Sequence, residues 1–147
     1  MVCNGFIKNP EIWSDFNAYV TKSQAVALID AITGGTWTSE ETNPSIHWVQ
    51  PSVISLCGKG IITDKNHWLT NPDACISKAL ILALVDKATD GMKAKYVGRN
   101  TDHWARNCLD SLCDKRIIYT PHAWDDDFEG TVNRGNLIVL LCNAFGI

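Results

Sequence analysis

Apolar side chains recur along this chain at a helical spacing. From Val49, the residues Val53, Leu56 and Cys57 follow at i+4, i+7 and i+8, and Ala105, Leu109, Leu112 and Cys113 repeat the pattern. Such spacing lines one face of an α-helix, because about 3.6 residues complete each turn. A second kind of helix opens at Thr21, Ser77 or Asn133. These residue types cap a helix N-terminus by accepting one of its unused backbone N–H groups. Thr21 and Gln24 have the spacing of a capping box. The second helices are predicted to stop near Gly34, Gly91 and Gly146, where glycine suits a left-handed cap. No strand-like alternation stands out, so the predicted fold class is all-α.

These patterns are written more than once. "HWVQPSVISLCGKGII" at 47–62 and "HWARNCLDSLCDKRII" at 103–118 match in eight places at an offset of 56 residues, without a gap. Trp68 and Trp124 keep the offset, as do Ser77–Lys78 with Asn133–Arg134 and Leu84–Val85 with Leu140–Leu141. One period before Lys78 stands Lys22, and "VTKSQAVALIDAI", "ISKALILALVDKA" and "VNRGNLIVLLCNA" align. Trp13 precedes the first of these, one residue out of register. The chain therefore reads as a single domain, 1–147, made of a partial repeat (1–40) and two further repeats (41–96 and 97–147). The first copy lacks its "HW" half. Each unit is expected to be helix–loop–helix, with three units around a pseudo-threefold axis. The missing half leaves a gap that a second copy could fill as a homodimer.

Composition narrows the function. At 147 residues with 46% hydrophobic content, the chain can bury a sizeable core. Thirteen basic and sixteen acidic residues give a net charge of −3, which disfavours binding to a nucleic-acid polymer. No apolar run approaches the ~18–20 residues of a membrane span. "MVCNGFIKNPEIW" lacks the basic region and long apolar stretch of a secretory signal. A cytoplasmic location is expected; the alternative is the cell surface, had a signal been removed. The six cysteines read as reduced, buried small hydrophobes. His103, Cys108 and Cys113 lie five residues apart and turn to different helix faces, so neither zinc nor any other metal or cofactor is expected.

One feature opposes helix electrostatics. Lys22, Lys78 and Arg134 each directly follow an N-cap, at the positive end of the helix dipole. Three such cations at equivalent places point to a bound anion, since helix N-termini offer free N–H groups to anions. The competing reading folds each cation onto a carboxylate of the adjacent unit, for example in "DDDFE". Trp13, Trp68 and Trp124 lie in expected loops about ten residues before each cation, as pocket walls or as loop anchors. The candidate ligand-binding set is thus Thr21, Lys22, Ser77, Lys78, Asn133, Arg134, Trp13, Trp68 and Trp124. Trp48 and Trp104 are expected in core or inter-unit packing. Asp125, Asp126 and Asp127 read as a solvated loop rather than a cation site. His67 and His122 have no nucleophile or carboxylate at a fixed spacing, and no catalytic set emerges; an enzyme is not expected.

"HWARNCLDSLCDKRII…W…TVNRGNLIVLLCNAFG" resembles the S-layer homology (SLH) repeat of bacterial surface proteins. That pattern has a His-Trp-Ala helix start, a Gly-Ile-Ile turn, a loop aromatic and a Thr-Arg-Ala-Glu opening to a second helix. The resemblance implies a three-pronged helical spindle whose inter-repeat grooves bind anionic secondary cell-wall polysaccharide. The Arg of the tetrad maps onto Lys22, Lys78 and Arg134, and its Thr onto Thr21, Ser77 and Asn133. Its Glu is replaced by Gln24, Leu80 and Asn136, and the turn glycine is Gly60 but Arg116. The favoured function is a non-enzymatic intracellular protein holding a small anionic ligand, a nucleotide second messenger or sugar phosphate; a phage-type sequestering sponge is one version. The alternatives are an SLH module on wall polysaccharide and an inhibitor module that acts through protein contacts.

Overall fold

The computed structural model describes residues 16–35, 49–91 and 103–146. Trp13, His47, Trp48 and Cys3 lie outside the described residues. Among the described residues seven helices follow in order: α1 (Lys22–Ile32), α2 (Gln50–Gly58), α3 (Lys65–Leu69), α4 (Lys78–Ala88), α5 (Arg106–Asp114), α6 (His122–Asp125) and α7 (Arg134–Phe145). The described residues are mostly helical and include no named strand, as the all-α expectation requires.

The helix starts obey their caps. Thr21 Oγ1 accepts from Gln24 N at 3.1 Å, and Gln24 Oε1 accepts from Thr21 N at 3.2 Å, closing the capping box. Ser77 Oγ and Asn133 Oδ1 accept from Leu80 N at 3.1 Å and Asn136 N at 2.8 Å. Each cap stabilises its helix by about 1 kcal/mol. Gly146 caps α7 in the left-handed region at φ 68°. Gly34 and Gly91 take positive φ just beyond α1 and α4.

Helix–loop–helix understates the segments 49–91 and 103–146. Trp68 and Trp124 stand on the short helices α3 and α6 rather than in open loops. Asp64 nucleates α3 by accepting from His67 N at 3.2 Å, and Pro121 precedes α6 with its φ already helical at −61°. Both indoles join the core.

The apolar faces read from the sequence are the buried ones. Val49, Val53 and Leu56 line α2, and Ala105, Leu109 and Leu112 line α5, all within the core, while Cys57 and Cys113 are partly buried. Complete burial of a Val or Leu side chain contributes about 1.5–3 kcal/mol. Helix α2 packs on α1, and α5 packs on α4. Trp104 departs from expectation: it precedes α5 instead of lying on its inner face and is 54% exposed. Cys75 is also exposed, against the expectation of a buried thiol; it lies in the extended segment before α4, bridged to Thr21, and not on a helix face.

At the centre, three extended segments precede α1, α4 and α7. They pair through isolated bridges Tyr19↔Asn133, Thr21↔Cys75 and Ser77↔Thr131, so each segment touches both others. Val20 N donates to Val132 O at 2.9 Å, and Ile76 N to Val20 O at 2.9 Å. Val20, Ile76 and Val132 are buried together in the same core.

Candidate functional site

The central segments bring the N-termini of α1, α4 and α7 against neighbouring turns. Lys22, Lys78 and Arg134 each occupy the first helical position. Their backbone N–H groups donate to Ala74 O, Gly130 O and Ala18 O, each at 2.9 Å. The next N–H groups, of Ser23, Ala79 and Gly135, donate to Pro72 O, Phe128 O and Phe16 O at 2.9, 2.8 and 3.0 Å. The third position in each helix is taken by the N-cap side chain. This corrects the route by which an anion was expected to bind. The N–H groups it would use already donate to protein oxygens, so the positive dipole ends face carbonyls of the adjoining turns.

The cation side chains span the same seams. Lys22 Nζ donates to Thr70 O at 3.5 Å, and Lys78 Nζ to Asp126 Oδ1 at 2.8 Å. Thr70 and Asp126 are themselves one 56-residue period apart, so both lysines reach the same place in successive units. At one seam they meet a carbonyl; at the other, a carboxylate. The Lys78 ammonium holds the Asp126 carboxyl below its ordinary range, chiefly through this hydrogen bond. Lys78 is therefore an ion-pair partner of the "DDDFE" loop, the competing reading of the sequence. Lys22 meets no carboxylate among the described residues. Arg134 is half-buried at the start of α7.

The tryptophans do not wall these seams. Trp68 and Trp124 are 8% and 6% exposed, and their role is that of anchors. Trp124 also edges a cleft of about 230 Å³ with Ile117, Tyr119, Val139 and Asn143, a cleft that contains none of the three cations. A larger cleft of about 400 Å³ lies between the C-terminal end of α4 and α5, lined by Asp86, Lys87, Asp90 and Cys108 among others. It too lacks those cations. Burial, then the nearby Asp86 charge, pushes the Cys108 thiol up to about 11, so it stays protonated at neutral pH.

The acidic loop is a hub of ion pairs rather than a freely solvated stretch. Asp125 accepts from Arg106 at 2.9 Å and lies 3.3 Å from His122 Nδ1. His103 meets Glu129 at 2.7 Å and stacks on Phe128 with ring centres 4.7 Å apart. Arg106 lies over the same ring at 5.1 Å. Among the described residues no three His, Cys, Asp or Glu side chains converge to hold a metal.

Two ion pairs made by buried carboxylates have no counterpart in the expectations from sequence. Lys59 Nζ meets Asp30 Oδ1 at 3.1 Å, and Lys115 Nζ meets Asp86 Oδ1 at 2.7 Å. Ser111 Oγ donates to Asp86 at 2.7 Å as well. The signal was present, because both the acids and the lysines keep the 56-residue offset. No described helix is long and apolar enough to cross a membrane. No protein-family model, curated protein or solved structure matches the chain.

Proposed function

We propose that this chain is a non-enzymatic, SLH-like binding module, a pseudo-threefold array of 56-residue repeats that holds a small anionic ligand at its inter-repeat seams. The observation that carries this reading is the contrast between two equivalent lysines. Lys78 is neutralised by Asp126 at 2.8 Å, whereas Lys22, in the same position one repeat earlier, meets among the described residues the Thr70 carbonyl at 3.5 Å and no carboxylate. An ammonium without a carboxylate is available to a phosphate or carboxylate group, and Thr70, being exposed, stands beside it. The ligand is bound by side chains, since the backbone N–H groups of the helix ends are engaged. A nucleotide second messenger or a sugar phosphate fits that chemistry. Reduced thiols at all five described cysteines favour a cytoplasmic setting.

The test is thermal unfolding of the protein against inorganic phosphate, a sugar phosphate, a cyclic dinucleotide and their uncharged analogues. Stabilisation by phosphorylated members alone supports the reading, because a ligand bound only by the folded state raises its stability by mass action. Equal response to charged and uncharged members counts against it. A second reading, a module acting through protein contacts, is favoured by one observation: Tyr119 and Val139 are 71% and 60% exposed side by side on one cleft.

A further inference from the structure

Equivalent positions of the 56-residue period are closed off differently beside the cleft of about 400 Å³ between α4 and α5. Asp30 and Asp86 are one period apart, and both are buried. Asp30 is sealed in: its Oδ2 is buried without a partner, and a Cβ on Gly35 would overlap its carboxylate. At Gly91, one period after Gly35, such a Cβ would meet nothing within 4 Å, and Asp86 lines the open cleft. Lys115 Nζ and Ser111 Oγ both bind Asp86 Oδ1 at 2.7 Å, which fixes a 3% exposed carboxylate at the cleft wall. Among the described residues Asp86 Oδ2 accepts no hydrogen bond.

At the rim of this cleft stands Asp90, a residue unfavourable to the fold on two counts. It adopts φ 78°, in the left-handed region, where its equivalents in the other repeats are Gly34 at φ 97° and Gly146 at φ 68°. A side chain is strained there and glycine is not. Its carboxylate also follows the C-terminal end of α4, where the helix dipole disfavours an anion. Lys87, in the last turn of α4, lines the same cleft, and its equivalents Ala31 and Asn143 are uncharged. Both Lys87 and Asp90 are exposed, and neither makes an ion pair among the described residues. Ala83 and Cys108 supply an uncharged wall.

We infer that this cleft binds a small zwitterion of the α-amino-acid class, with its ammonium group on Asp86 and Asp90 and its carboxylate on Lys87. The ligand's side chain lies on Ala83 and Cys108. Charges of both signs in one cleft select a ligand that carries both. A phosphate dianion would face two carboxylates with Lys87 alone to answer it, because Lys115 is committed to Asp86. A ligand with cationic groups only would leave Lys87 opposed. The strained Asp90 is explained by this role, since a residue held against its backbone preference supplies the second carboxylate. The cleft volume falls within the range of small-molecule sites, about 300–1,000 Å³. The cleft lies at the C-terminal end of α4, away from the seams at the helix N-termini, and the inference does not depend on an anion bound there.

The test is titration of the full chain with L-alanine and L-leucine, read from backbone amide shifts in proton–nitrogen correlation spectra. At least one of them should shift the amides of residues 86–91, Gly60 and Cys108 saturably in the millimolar range. N-acetyl-L-alanine and N-acetyl-L-leucine lack the ammonium group, and L-alaninamide and L-leucinamide lack the carboxylate. Each should bind at least about tenfold more weakly than its parent. Asp90→Gly gives the sharpest readout, because relief of strain and of the dipole penalty should raise the melting temperature by about 2 °C. The same variant should weaken amino-acid binding about tenfold, a combination that a purely structural Asp90 would not produce. Lys87→Gln should weaken binding similarly with unchanged circular dichroism, and Lys22→Glu should leave it as in the wild type. No saturable shift at these amides up to about 50 mM of either amino acid overturns the inference. So does equal binding of the capped forms, wild-type affinity in Asp90→Gly, or a loss as large in Lys22→Glu.

Discussion

Replacing Lys115 by Met removes one half of a buried ion pair and leaves the other half behind. Lys115 Nζ lies 2.7 Å from Asp86 Oδ1, 3.2 Å from Asp86 O and 3.3 Å from Thr89 Oγ1. The Asp86 side chain is 3% exposed, so in the variant its charge keeps, among the described residues, the Ser111 hydroxyl as its one side-chain partner. Stripping one partner from a buried pair costs about 3–5 kcal/mol, mostly the penalty of an uncompensated charge. Lys115 itself retains 15% exposure, through which water can reach the vacated space, so the lower end of that range, about 3 kcal/mol, is expected. At the equivalent pair Lys59 is 31% exposed, and Lys59→Met should cost less, about 2 kcal/mol. Adding Asp86→Asn to Lys115→Met removes the stranded charge and should recover more than half of the loss. Urea unfolding followed by far-ultraviolet circular dichroism gives each free energy by linear extrapolation. A Lys115→Met cost below about 1 kcal/mol, or a double variant less stable than the single one, would refute the reasoning.

Three further outcomes follow from the same geometry. Trp68→Ala and Trp124→Ala should each cost about 3–5 kcal/mol in urea unfolding, because both indoles are core anchors; a cost under about 1 kcal/mol would restore an exposed ligand-facing role. In alkylation at pH 8, exposed Cys75 should react first and Cys108 last, about 100-fold slower than a thiol with the ordinary value of 9.0, given its elevation to about 11. The Asp126 carboxyl is lowered by Lys78, so the seam it closes contributes stability above the ordinary value of 3.8 and loses it as pH falls through the lowered value. Asp126→Asn should flatten that acid limb of the stability profile and leave stability near neutral pH only slightly changed.

Local chemistry was legible in the sequence, and long-range closure was not. Thr21, Ser77 and Asn133 cap their helices as their side chains dictate, and Val53, Leu56, Leu109 and Leu112 face inward as their spacing requires. The 56-residue offset placed the three cations on corresponding helix starts. It did not show that Ala74, Gly130 and Ala18 would deliver their carbonyls to those starts, because contacts between distant turns leave no trace in periodicity. The central bridges are single residue pairs, too short to create strand-like alternation. Trp68 and Trp124 take the anchor role, one of the two that the sequence left open, whereas Trp104 departs from its expected packing role because of where its helix begins. Trp124 lies on α6 and turns inward, while α5 begins only at Arg106 and leaves Trp104 before its buried face.

Isothermal titration of the wild type and Lys22→Glu with the phosphorylated ligand that most stabilises the protein tests the central claim most directly. Lys22 contributes no ion pair with a described carboxylate, and an acidic residue at a helix start suits the dipole, so the melting temperature should hold or rise slightly. Loss of a charge-assisted hydrogen bond, worth roughly 1.5–3 kcal/mol, together with the new repulsion, should weaken binding by about tenfold or more. Lys78→Glu should behave in the opposite sense, losing stability through its contact with Asp126. Unchanged affinity in Lys22→Glu, with or without a fall in melting temperature, would contradict an anion held at this seam.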